Sequence, residues 1–447
     1  MLKVSRREML TALGVTGMAG LIHARNHFKS KALFQPTPRE TLRGWVRREP
    51  VLIEHSPAPE LVSDDQLLDV LRMARPYSNT QLDTIPFTIH ALRFWGPKAE
   101  FPRTLEEPAY EDHFGLSSAE MIAILLDTRT FVERTGRELS AVLVPSPFGI
   151  RVLSNTDTVY GWREASAHID EIPCELGEIG LPSTTPLIAK GGIAGTVADL
   201  ITDAMTRISQ DVEMEWTASA LSLYVATRAR WKNRQGQEWS LNEVALHLLR
   251  KSIGHGACMG LHSAYSLVLM LRTHEKVPFL TDTTVRDVRN HLLDITRHLV
   301  TTQHDDGSWG VDWYDDAHAP KPPYLDSRIN AIAATGHQLE WLAVAPPTLR
   351  PNREVLARAI TFLARTIPAM EDVLLGDFHN YPPVSHAARA LSLFKGVEPY
   401  AFYSTRAVRS EQPTPTGNSL PHHSHDRLHG CLIATCGLSG RWPDALI

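Results

Sequence analysis

Two kinds of helical segment alternate along most of this chain of 447 residues, and their alternation constrains the fold more than any other feature. Segments of the first kind, such as 241–249 and 356–367, are amphipathic, with apolar residues at spacings of three and four. Segments of the second kind are apolar or small nearly all round, and they cover 216–226, 257–271, 329–345, 386–394 and 428–438. Because a helix that is apolar on every side must be buried on every side, we expect the second kind to lie inside a layer built by the first.

In chain order these segments pair as outer and inner members of helical hairpins. The predicted pairs are 197–209 with 215–228, 241–251 with 257–272, 284–302 with 327–345, and 352–367 with 384–395, followed by a last inner helix near residue 428. Hairpins stacked side by side bury one continuous core, and a ring of them closes into a barrel of two layers. We therefore expect an all-α domain over 61–447, an α/α toroid of helical hairpins, with a linear solenoid of the same hairpins as the nearest alternative.

Local signals place several helix starts. In a capping box, a serine hydroxyl caps the first turn and a side chain three residues later reaches back to the serine N–H. Three pairs fit this pattern: Ser63 with Gln66, Ser117 with Glu120, and Ser240 with Glu243.

Two stretches depart from the helical pattern. Residues 136–192 contain a predicted β-hairpin, 141–144 with 150–153, and are otherwise rich in proline and glycine. An insertion of this length predicts a lid, an interaction surface or a structural patch over a barrel rim. Residues 25–60 carry several prolines and little periodicity, and they predict a linker that wraps onto the body.

The stretch from Gln303 to Trp309 joins the end of a predicted helix to a tight turn and a tryptophan. The apolar stripe of that helix runs to Leu299, Gln303 follows after three residues, and Gly307-Ser-Trp309 follows after three more. A helix C-terminus, an Asp-Gly turn and a core tryptophan account for the stretch on physical grounds alone. The same order resembles the QW repeat of squalene and terpene cyclases, whose relatives include protein prenyltransferases, although His298 stands where the family usually has an aromatic residue.

The resemblance implies that the glutamine amide ties the helix terminus to the next turn, that the indole packs over it, and that successive helices form an α/α toroid. Decayed copies of the motif at Gly376-Asp-Phe378 and Gln235-Gly-Gln-Glu-Trp239 support a repeat. The chain lacks the Asp-x-Asp-Asp motif of squalene-type cyclases. Aromatic residues make up only 7% of it, which is thin for a cavity that stabilises carbocations, so cyclisation is disfavoured.

The first 24 residues resemble a targeting segment. Arg6 and Arg7 precede a mostly apolar run from 9 to 22, which looks like a twin-arginine export signal that is cleaved or kept as an anchor. This predicts an exported bacterial protein that meets the membrane only through an uncleaved N-terminus. A basic amphipathic helix is the alternative.

Charge and cysteine content exclude other classes of function. The 45 Lys and Arg residues against 50 Asp and Glu residues give a net charge of −5, with no basic run interleaved with aromatics, so nucleic-acid binding is not expected. The four cysteines are not spaced as a disulfide framework, and a chain of this length does not need one.

Histidine is the compositional anomaly, with 21 residues. Each all-apolar helix tends to begin with one: His90, His262, His337, His386 and His429. In a closed ring the inner helices run parallel and their N-termini gather at one mouth, so we expect these imidazoles to face a shared funnel. Helix N-termini there would add partial positive charge, which favours an anionic ligand and lowers histidine pKa values.

The candidate catalytic residues are therefore His90, Glu215, His262, His337, Glu340 and His386, the two glutamates each preceding a tryptophan. Together they predict a polar, titratable site suited to acid–base chemistry. For any single histidine, the alternative is a core residue bonded to a backbone carbonyl. The recurrence on helices of one type is what favours a functional set.

The densest cluster predicts a zinc site. Cys258 and His262 are four residues apart and share a helix face, and His255 is near enough to join them. If the ring brings the last helix alongside, His429 and Cys431 complete a Cys/His ligand set. Toroid relatives that use zinc, the prenyltransferase β-subunits and the lanthionine cyclases, place such ligands at a similar mouth, but this chain lacks the Asp-x-Cys pair of the former and the Cys-His-Gly order of the latter.

Three hypotheses of function remain open from the sequence. The leading one is an exported, enzyme-like toroid whose His-rich, zinc-binding funnel takes a polar or anionic small molecule. The second is a non-catalytic binding or scaffold protein that keeps only the shell of the terpenoid-cyclase superfamily. The third is acid–base catalysis on a carbohydrate.

Overall fold

The computed structural model describes residues 35–78, 85–101, 114–136, 142–154, 166–210, 213–251, 254, 257–314, 328–370 and 380–410. Within these ranges the chain is mostly helical, and its strands are short and pair only into two-stranded sheets. The predicted all-α class is therefore confirmed.

The α-helices of the described ranges are α1 Arg39–Gly44, α2 Asp64–Met73, α3 Ile85–Trp95, α4 Ser118–Leu126, α5 Thr128–Thr135, α6 Glu171–Glu178, α7 Val197–Arg207, α8 Glu215–Tyr224, α9 Leu241–Leu248, α10 Leu261–Lys276, α11 Asp282–Thr302, α12 Arg328–Val344, α13 Arg353–Thr366, α14 Tyr381–Lys395 and α15 Pro399–Ser410. Short 3-10 turns lie at Pro59–Leu61, Ala257–Gly260, Pro347–Leu349 and Pro368–Met370. The strands pair antiparallel as β1 Tyr77–Ser78 with β2 Phe114–Gly115, β3 Leu143–Ser146 with β4 Gly149–Val152, β5 Pro186–Ala189 with β6 Ile193–Thr196, and β7 Trp231–Lys232 with β8 Glu238–Trp239.

Six helices pack against one another in succession. The contacts run from α3 to α6, α8, α10, α12 and α14, and α14 contacts α3 again. The amphipathic helices lie against this series, with α4 on α3, α9 on α8 and α10, α11 on α10, α13 on α12, and α2 on α14. The approach of α12 to α14 is close because Gly336 has no side chain: a Cβ there would lie 3.0 Å from the backbone nitrogen of Ala387.

Burial separates the two kinds of helix as the sequence predicts. Every residue of α3 and α8 is buried, and most of α10, α12 and α14 is buried as well. In contrast, α11 buries a stripe at spacings of three and four, from Thr284 to Leu299. One outer helix differs: α7 is buried along nearly its whole length because β4 and α1 pack against it in addition to α8.

The predicted helix starts at Ser63 and Ser117 are confirmed. Both serines form the complete capping box with the side chain three residues later. At Ser240 the hydroxyl accepts the N–H of Glu243, which caps α9 as expected.

The stretch 136–192 holds more regular structure than predicted. Its β3–β4 hairpin is confirmed, but 171–178 is a helix, α6, that belongs to the inner series. This helix was not predicted, because its segment contains a proline and a glycine, which usually interrupt helices. Pro173 lies in the first turn, where its missing N–H has no partner to lose. Gly177 allows close packing, since a Cβ there would lie 2.8 Å from the ring of Tyr224 on α8.

The Gln303–Trp309 stretch ties α11 to α13 and to α12, where the hydroxyl of Thr335 accepts the backbone N–H of Trp309 at 2.9 Å. The amide of Gln303 donates to the carbonyls of Gly307 in the turn and Val355 at the start of α13, both at 2.9 Å. The fully buried indole of Trp309 donates to the carbonyl of Leu299 in the last turn of α11 at 3.0 Å. The shorter stretch ending at Trp239 is part of the β7–β8 hairpin and does not end a helix, so it is not a copy of this arrangement.

The chain before α2 crosses the helical body. Leu42 of α1 is fully buried, and backbone N–H groups of Arg47 and Val51 donate to carbonyls at the end of α8. Among the helices of the described ranges, none combines the length and the apolar composition that crossing a bilayer requires. The predicted export segment 1–24, the copy at Gly376-Asp-Phe378 and the inner helix near residue 428 lie outside the described residues.

We expect Gln303→Ala to lower the free energy of unfolding by about 1–3 kcal/mol, because the buried side-chain amide makes two hydrogen bonds that the alanine cannot make. Urea unfolding followed by circular dichroism measures the change. The control is Thr301→Ala on the exposed face of the same helix, which should stay within about 0.5 kcal/mol of the parent. Equal effects of the two substitutions would show that the glutamine does not hold the helices together.

Candidate functional site

Five imidazole rings form a continuous buried row. His90 of α3 lies 4.9 Å from His386 of α14, measured between ring centroids, and His386 stacks on His337 of α12 at 3.9 Å. The row continues from His337 to His262 of α10 at 5.4 Å, and from His262 to His168, in the loop before α6, at 4.6 Å. Each of these residues is at most 7% exposed. The structure thus brings the four described histidines of the predicted set together and adds His168.

The position of the histidines within their helices corrects the sequence analysis. His90, His337 and His386 lie near the middle of α3, α12 and α14, and only His262 lies in the first turn of its helix. The pKa values of His90 and His386 are lowered, as expected, but burial is the main cause. The expectation is wrong for His337, because Cys258 outweighs its burial and raises the pKa of the ring. Helix N-termini therefore do not support the expected preference for an anionic ligand.

Fixed hydrogen-bond acceptors set the tautomer of three rings. Nδ1 of His90 and of His337 each contacts the backbone carbonyl four residues earlier, at 2.6 and 2.8 Å. Nδ1 of His386 lies 2.8 Å from a carboxylate oxygen of Glu340. Because these oxygens only accept, each Nδ1 carries a proton and each Nε2 keeps its lone pair in the neutral ring.

His262 has the opposite tautomer. The indole N–H of Trp216, which can only donate, contacts Nδ1 of His262 at 3.1 Å. Nδ1 therefore keeps the lone pair, and Nε2 carries the proton. That Nε2 is buried without a hydrogen bond of normal geometry among the described residues, and the thiol of Cys258 is the polar group beside it.

The thiol of Cys258 is surrounded by imidazoles. Its sulfur lies 3.8 Å from Nε2 of His168. Burial opposes the thiolate, but His262, His168 and His337 together outweigh burial and lower the pKa of the thiol well below its ordinary value. Since the thiolate is the nucleophilic form of cysteine, Cys258 has the environment of a reactive thiol.

Strained backbone surrounds this thiol. The non-glycine residues with positive φ in the described ranges are Asp170 at 58°, Cys258 at 47° and Met259 at 60°. The carbonyl of Met259 accepts the indole N–H of Trp313 at 3.1 Å, and the carboxylate of Asp170 is paired with Arg207. Such conformations persist only where surrounding contacts hold them, and they concentrate at functional sites.

His168 connects the thiol to a carboxylate. Its Nδ1 lies 2.8 Å from Oε1 of Glu213, while its Nε2 faces Cys258. Burial opposes the charged ring, but Cys258 and Glu213 outweigh it and raise the pKa of His168 well above its ordinary value. The backbone N–H of His168 also donates to Glu171 at 3.3 Å, which fixes the loop against α6.

A network of buried charges adjoins the histidine row. Arg93 of α3 contacts Glu178 of α6, and its Nη1 lies 2.9 Å from Glu340 of α12. Arg389 of α14 contacts the same two carboxylates at 3.3 and 2.7 Å. Burial opposes ionisation, but the arginines outweigh it and lower the pKa values of Glu178 and Glu340. The hydroxyl of Tyr265 donates to Glu178, and both guanidinium groups lie near its ring.

Glu215 does not share the surroundings of Glu340. Its Oε1 lies 2.8 Å from Nζ of Lys251 and accepts the hydroxyl of Ser263 at 2.9 Å. The matching Glu-Trp sequences therefore do not give matching sites. Trp216 bonds His262, whereas the indole of Trp341 donates to Gln338 in its own helix.

The described residues contain one group that could hold a metal ion. Ligand atoms of His168, Cys258 and His262 all lie within 4.8 Å of one another. Two of these residues, Cys258 and His262, belong to the predicted set. The other predicted ligands, His255, His429 and Cys431, lie outside the described residues.

Several residues of the site were missed in the sequence, and those that lie on helices left a signal. Arg93 and Arg389 each lie three residues after a histidine within a helix of mostly apolar and small residues, and a buried charge in such a helix must be paired. The stripe Glu171, Glu175, Glu178 has helical spacing. That spacing would have identified α6 despite its proline and glycine.

No family model matches the chain, and neither a curated protein nor a solved structure is significantly similar to it.

We expect Glu340→Gln to lower the free energy of unfolding by about 3–5 kcal/mol at pH 7, because two buried arginines lose a shared carboxylate. The folded pKa of Glu340 is depressed, so its stabilisation is present above the unfolded value of about 4.3 and is lost as pH falls through the folded value. The difference in free energy of unfolding between parent and variant, measured in urea, should therefore be smaller at pH 3 than at pH 7.

The matched control is Glu275→Gln. Glu275 also contacts two arginines, Arg272 and Arg289, but it lies on the surface. Glu275→Gln should lower the free energy of unfolding much less, because water screens the ion pairs of Glu275. If Glu340→Gln lowered the free energy of unfolding as little as Glu275→Gln does, or by the same amount at both pH values, the result would contradict the charge network.

Proposed function

We propose that this protein is a thiol-dependent enzyme in which Cys258 is the nucleophile, His168 its acid–base partner and Glu213 the group that orients His168. One observation carries the proposal: Oε1 of Glu213 lies 2.8 Å from Nδ1 of His168, whose Nε2 lies 3.8 Å from the sulfur of Cys258. A carboxylate, an imidazole and a thiol in this order activate a cysteine nucleophile.

Acyl transfer is the reaction that these groups support. The thiolate of Cys258 attacks a carbonyl carbon, a C–S bond forms, and the carbonyl electron pair moves onto oxygen. The proton on Nε2 of His262 is available to that oxygen, because the bond from Trp216 keeps it on Nε2. Collapse of the tetrahedral species expels the leaving group, which takes the proton of His168 and leaves a thioester. Water, deprotonated by His168, then hydrolyses the thioester and restores the thiolate and imidazolium.

The remaining predicted residues form the wall of the site in this proposal. His337 contacts both the thiol and the stacked ring of His386, whose Nδ1 is held by Glu340. These groups are polar and fixed in place, so they suit a polar substrate better than an apolar one. A scaffold without catalysis would have no use for a thiol whose pKa is depressed in this way.

We also propose that the helical body is an α/α toroid related to the QW-repeat superfamily. The cyclic succession of contacts from α3 through α14 back to α3 supports closure and disfavours an open solenoid. The Gln303 and Trp309 bonds at the end of α11 support the kinship. Export remains part of the proposal on the strength of Arg6, Arg7 and the apolar run after them.

The thiol proposal predicts that Cys258 reacts with iodoacetamide at pH 6, where an ordinary cysteine of pKa about 8.5 is almost entirely protonated. Peptide mass mapping over time measures the rate at each cysteine. Cys174 is the internal control, because burial raises the pKa of its thiol and it should not react. His168→Asn removes the imidazolium, so the pKa of Cys258 should rise and its rate at pH 6 should fall by roughly tenfold or more. Glu213→Gln should act in the same direction, more weakly.

The outcome that contradicts the proposal is a rate at Cys258 that rises only near pH 8.5 in the parent, or one that His168→Asn leaves unchanged. Circular dichroism of each variant confirms that the fold is kept. p-Nitrophenyl acetate serves as a simple acyl donor: a burst of p-nitrophenolate, with the acetyl group mapped to Cys258, should be absent in Cys258→Ala.

A zinc centre at His168, Cys258 and His262 is the second candidate, favoured by the three ligand atoms within 4.8 Å of one another. Cysteine and histidine suit zinc, and three protein ligands leave a position for water. The bond from Trp216 weighs against it, because His262 can bind a metal through Nε2 only by giving up the proton that its tautomer places there.

Zinc quantification separates the two candidates. We expect less than one equivalent of zinc in the purified protein, no change in Cys258→Ala, and alkylation of Cys258 that a chelator does not affect. One equivalent of zinc that is lost in Cys258→Ala, together with a thiol protected until chelator is added, would establish the metal centre instead.

A further inference from the structure

A segment of irregular chain, residues 47–58, lies across the C-terminal ends of several inner helices, and we call it the strap. Backbone N–H groups of Arg47 and Val51 donate to the last two carbonyls of α8, at 2.7 and 3.0 Å. The N–H of Ala58 donates to a carbonyl in the last turn of α14 at 2.8 Å. Because the last carbonyls of a helix have no partner within it, the two ends of the strap complete α8 and α14.

The middle of the strap, residues 52–57, is attached less firmly than its ends. Among the described residues, no backbone–backbone hydrogen bond involves this segment. Arg272 and Lys276, in the last two turns of α10, contact the carbonyl and the carboxylate of Glu54 at 2.6 and 2.7 Å, and Ile53 packs against the core. A segment that lacks backbone hydrogen bonds and lies between two bonded ends is the part that opens at the lowest cost.

His55 lies in this middle segment, close to charges from four other parts of the chain. Its half-buried ring lies near three guanidinium groups and one carboxylate, which belong to Arg389 on α14, Arg272 on α10, Arg350 after α12 and Glu178 at the end of α6. Burial, followed by Arg389, lowers the pKa of His55 to about 4, and Glu178 opposes this only in part. The ring is therefore neutral while the strap is closed at neutral pH.

The charged neighbours of His55 keep their charges between pH 7 and pH 5. The guanidinium groups remain protonated, although burial lowers the pKa of Arg350 to about 10. Burial opposes ionisation of Glu178, but the guanidinium groups outweigh it and hold its pKa below the ordinary value, and Lys276 lowers the pKa of Glu54. Among these groups, His55 alone gains a proton in this range.

We propose that residues 52–57 form a closure that acid opens, and that His55 is its pH sensor. In the open state the ring lies in water, where the pKa of histidine is about 6.5. The open state therefore binds a proton more readily than the closed state, so closure loses stability as the pH falls from about 6.5 toward about 4. The closure acts independently of the thiol chemistry proposed for Cys258.

Cleavage by endoproteinase Glu-C between Glu54 and His55 measures the opening. When opening is fast relative to cleavage, the rate follows the population of the open form. Division by the cleavage rate of a synthetic peptide of residues 50–59 removes the pH dependence of the protease. With pKa values of about 4 in the closed state and about 6.5 in the open state, the corrected rate should rise roughly twentyfold from pH 7 to pH 5.

Two variants, each corrected with its own peptide, have opposite expectations. His55→Leu cannot gain a proton, so its corrected rate should stay within roughly threefold between pH 7 and pH 5. His55→Arg is charged at both pH values, so its corrected rate at pH 7 should exceed that of the parent roughly tenfold or more. His291→Leu is the matched control and should respond as the parent does, because His291 is also half-buried with a lowered pKa but lies on the outer helix α11.

Cleavage after Glu340, in the interior of α12, reports unfolding of the whole domain and should not accompany cleavage after Glu54. Mass spectrometry of the fragments distinguishes the two sites, and circular dichroism checks the fold of each variant. His55→Gln is a second uncharged variant that should match His55→Leu. The closure would be overturned by a corrected rate that does not rise in the parent from pH 7 to pH 5, by a rise that both uncharged variants keep, or by equal cleavage after Glu340.

Discussion

Burial of paired charges is the constraint on which the rest of this structure depends. Arg93, Glu178, Glu340 and Arg389 come from four different helices, and all four side chains are withdrawn from water. A buried charge costs several kcal/mol unless its partners are in place. The network is therefore satisfied only when α3, α6, α12 and α14 are assembled together, and that assembly also forms the histidine row. Fold and site share one set of interactions.

Within that assembly, the chemistry of each imidazole is decided by the atom that its Nδ1 meets. A carbonyl or carboxylate leaves a lone pair on Nε2, as in the neutral rings of His90 and His386, whereas the indole of Trp216 leaves a proton on Nε2 of His262. The imidazole rings of the row thus supply both hydrogen-bond donors and hydrogen-bond acceptors. This asymmetry favours a thiolate at Cys258, which a donor stabilises, over a metal ion, which needs lone pairs from all its nitrogen ligands.

The sequence could predict the helices and much of the site, and the failures have physical causes. Hydrophobic periodicity identifies the helices of the described ranges between 197 and 395 because burial determines both the pattern and the fold. Periodicity does not show how far a residue lies from the ends of its helix. His90 and His386 were therefore expected at helix starts but lie near the middle. His168 escaped notice because it lies in a loop, which has no periodicity. Its place beside Cys258 depends on the pairing of Asp170 with Arg207 and on the local bond from its own N–H to Glu171.

The segment after α11 links the fold to the thiol. Gln303 and Trp309 fasten α11 to its neighbours, and four residues later Trp313 donates to the carbonyl of Met259 in the strained turn that carries Cys258. A turn with two consecutive positive φ angles at non-glycine residues is unfavourable by itself, at a cost of about 1–3 kcal/mol for each residue. The indole of Trp313 offsets part of that cost only if its own segment is held rigidly. A motif that determines how helices join therefore also determines where the thiol lies.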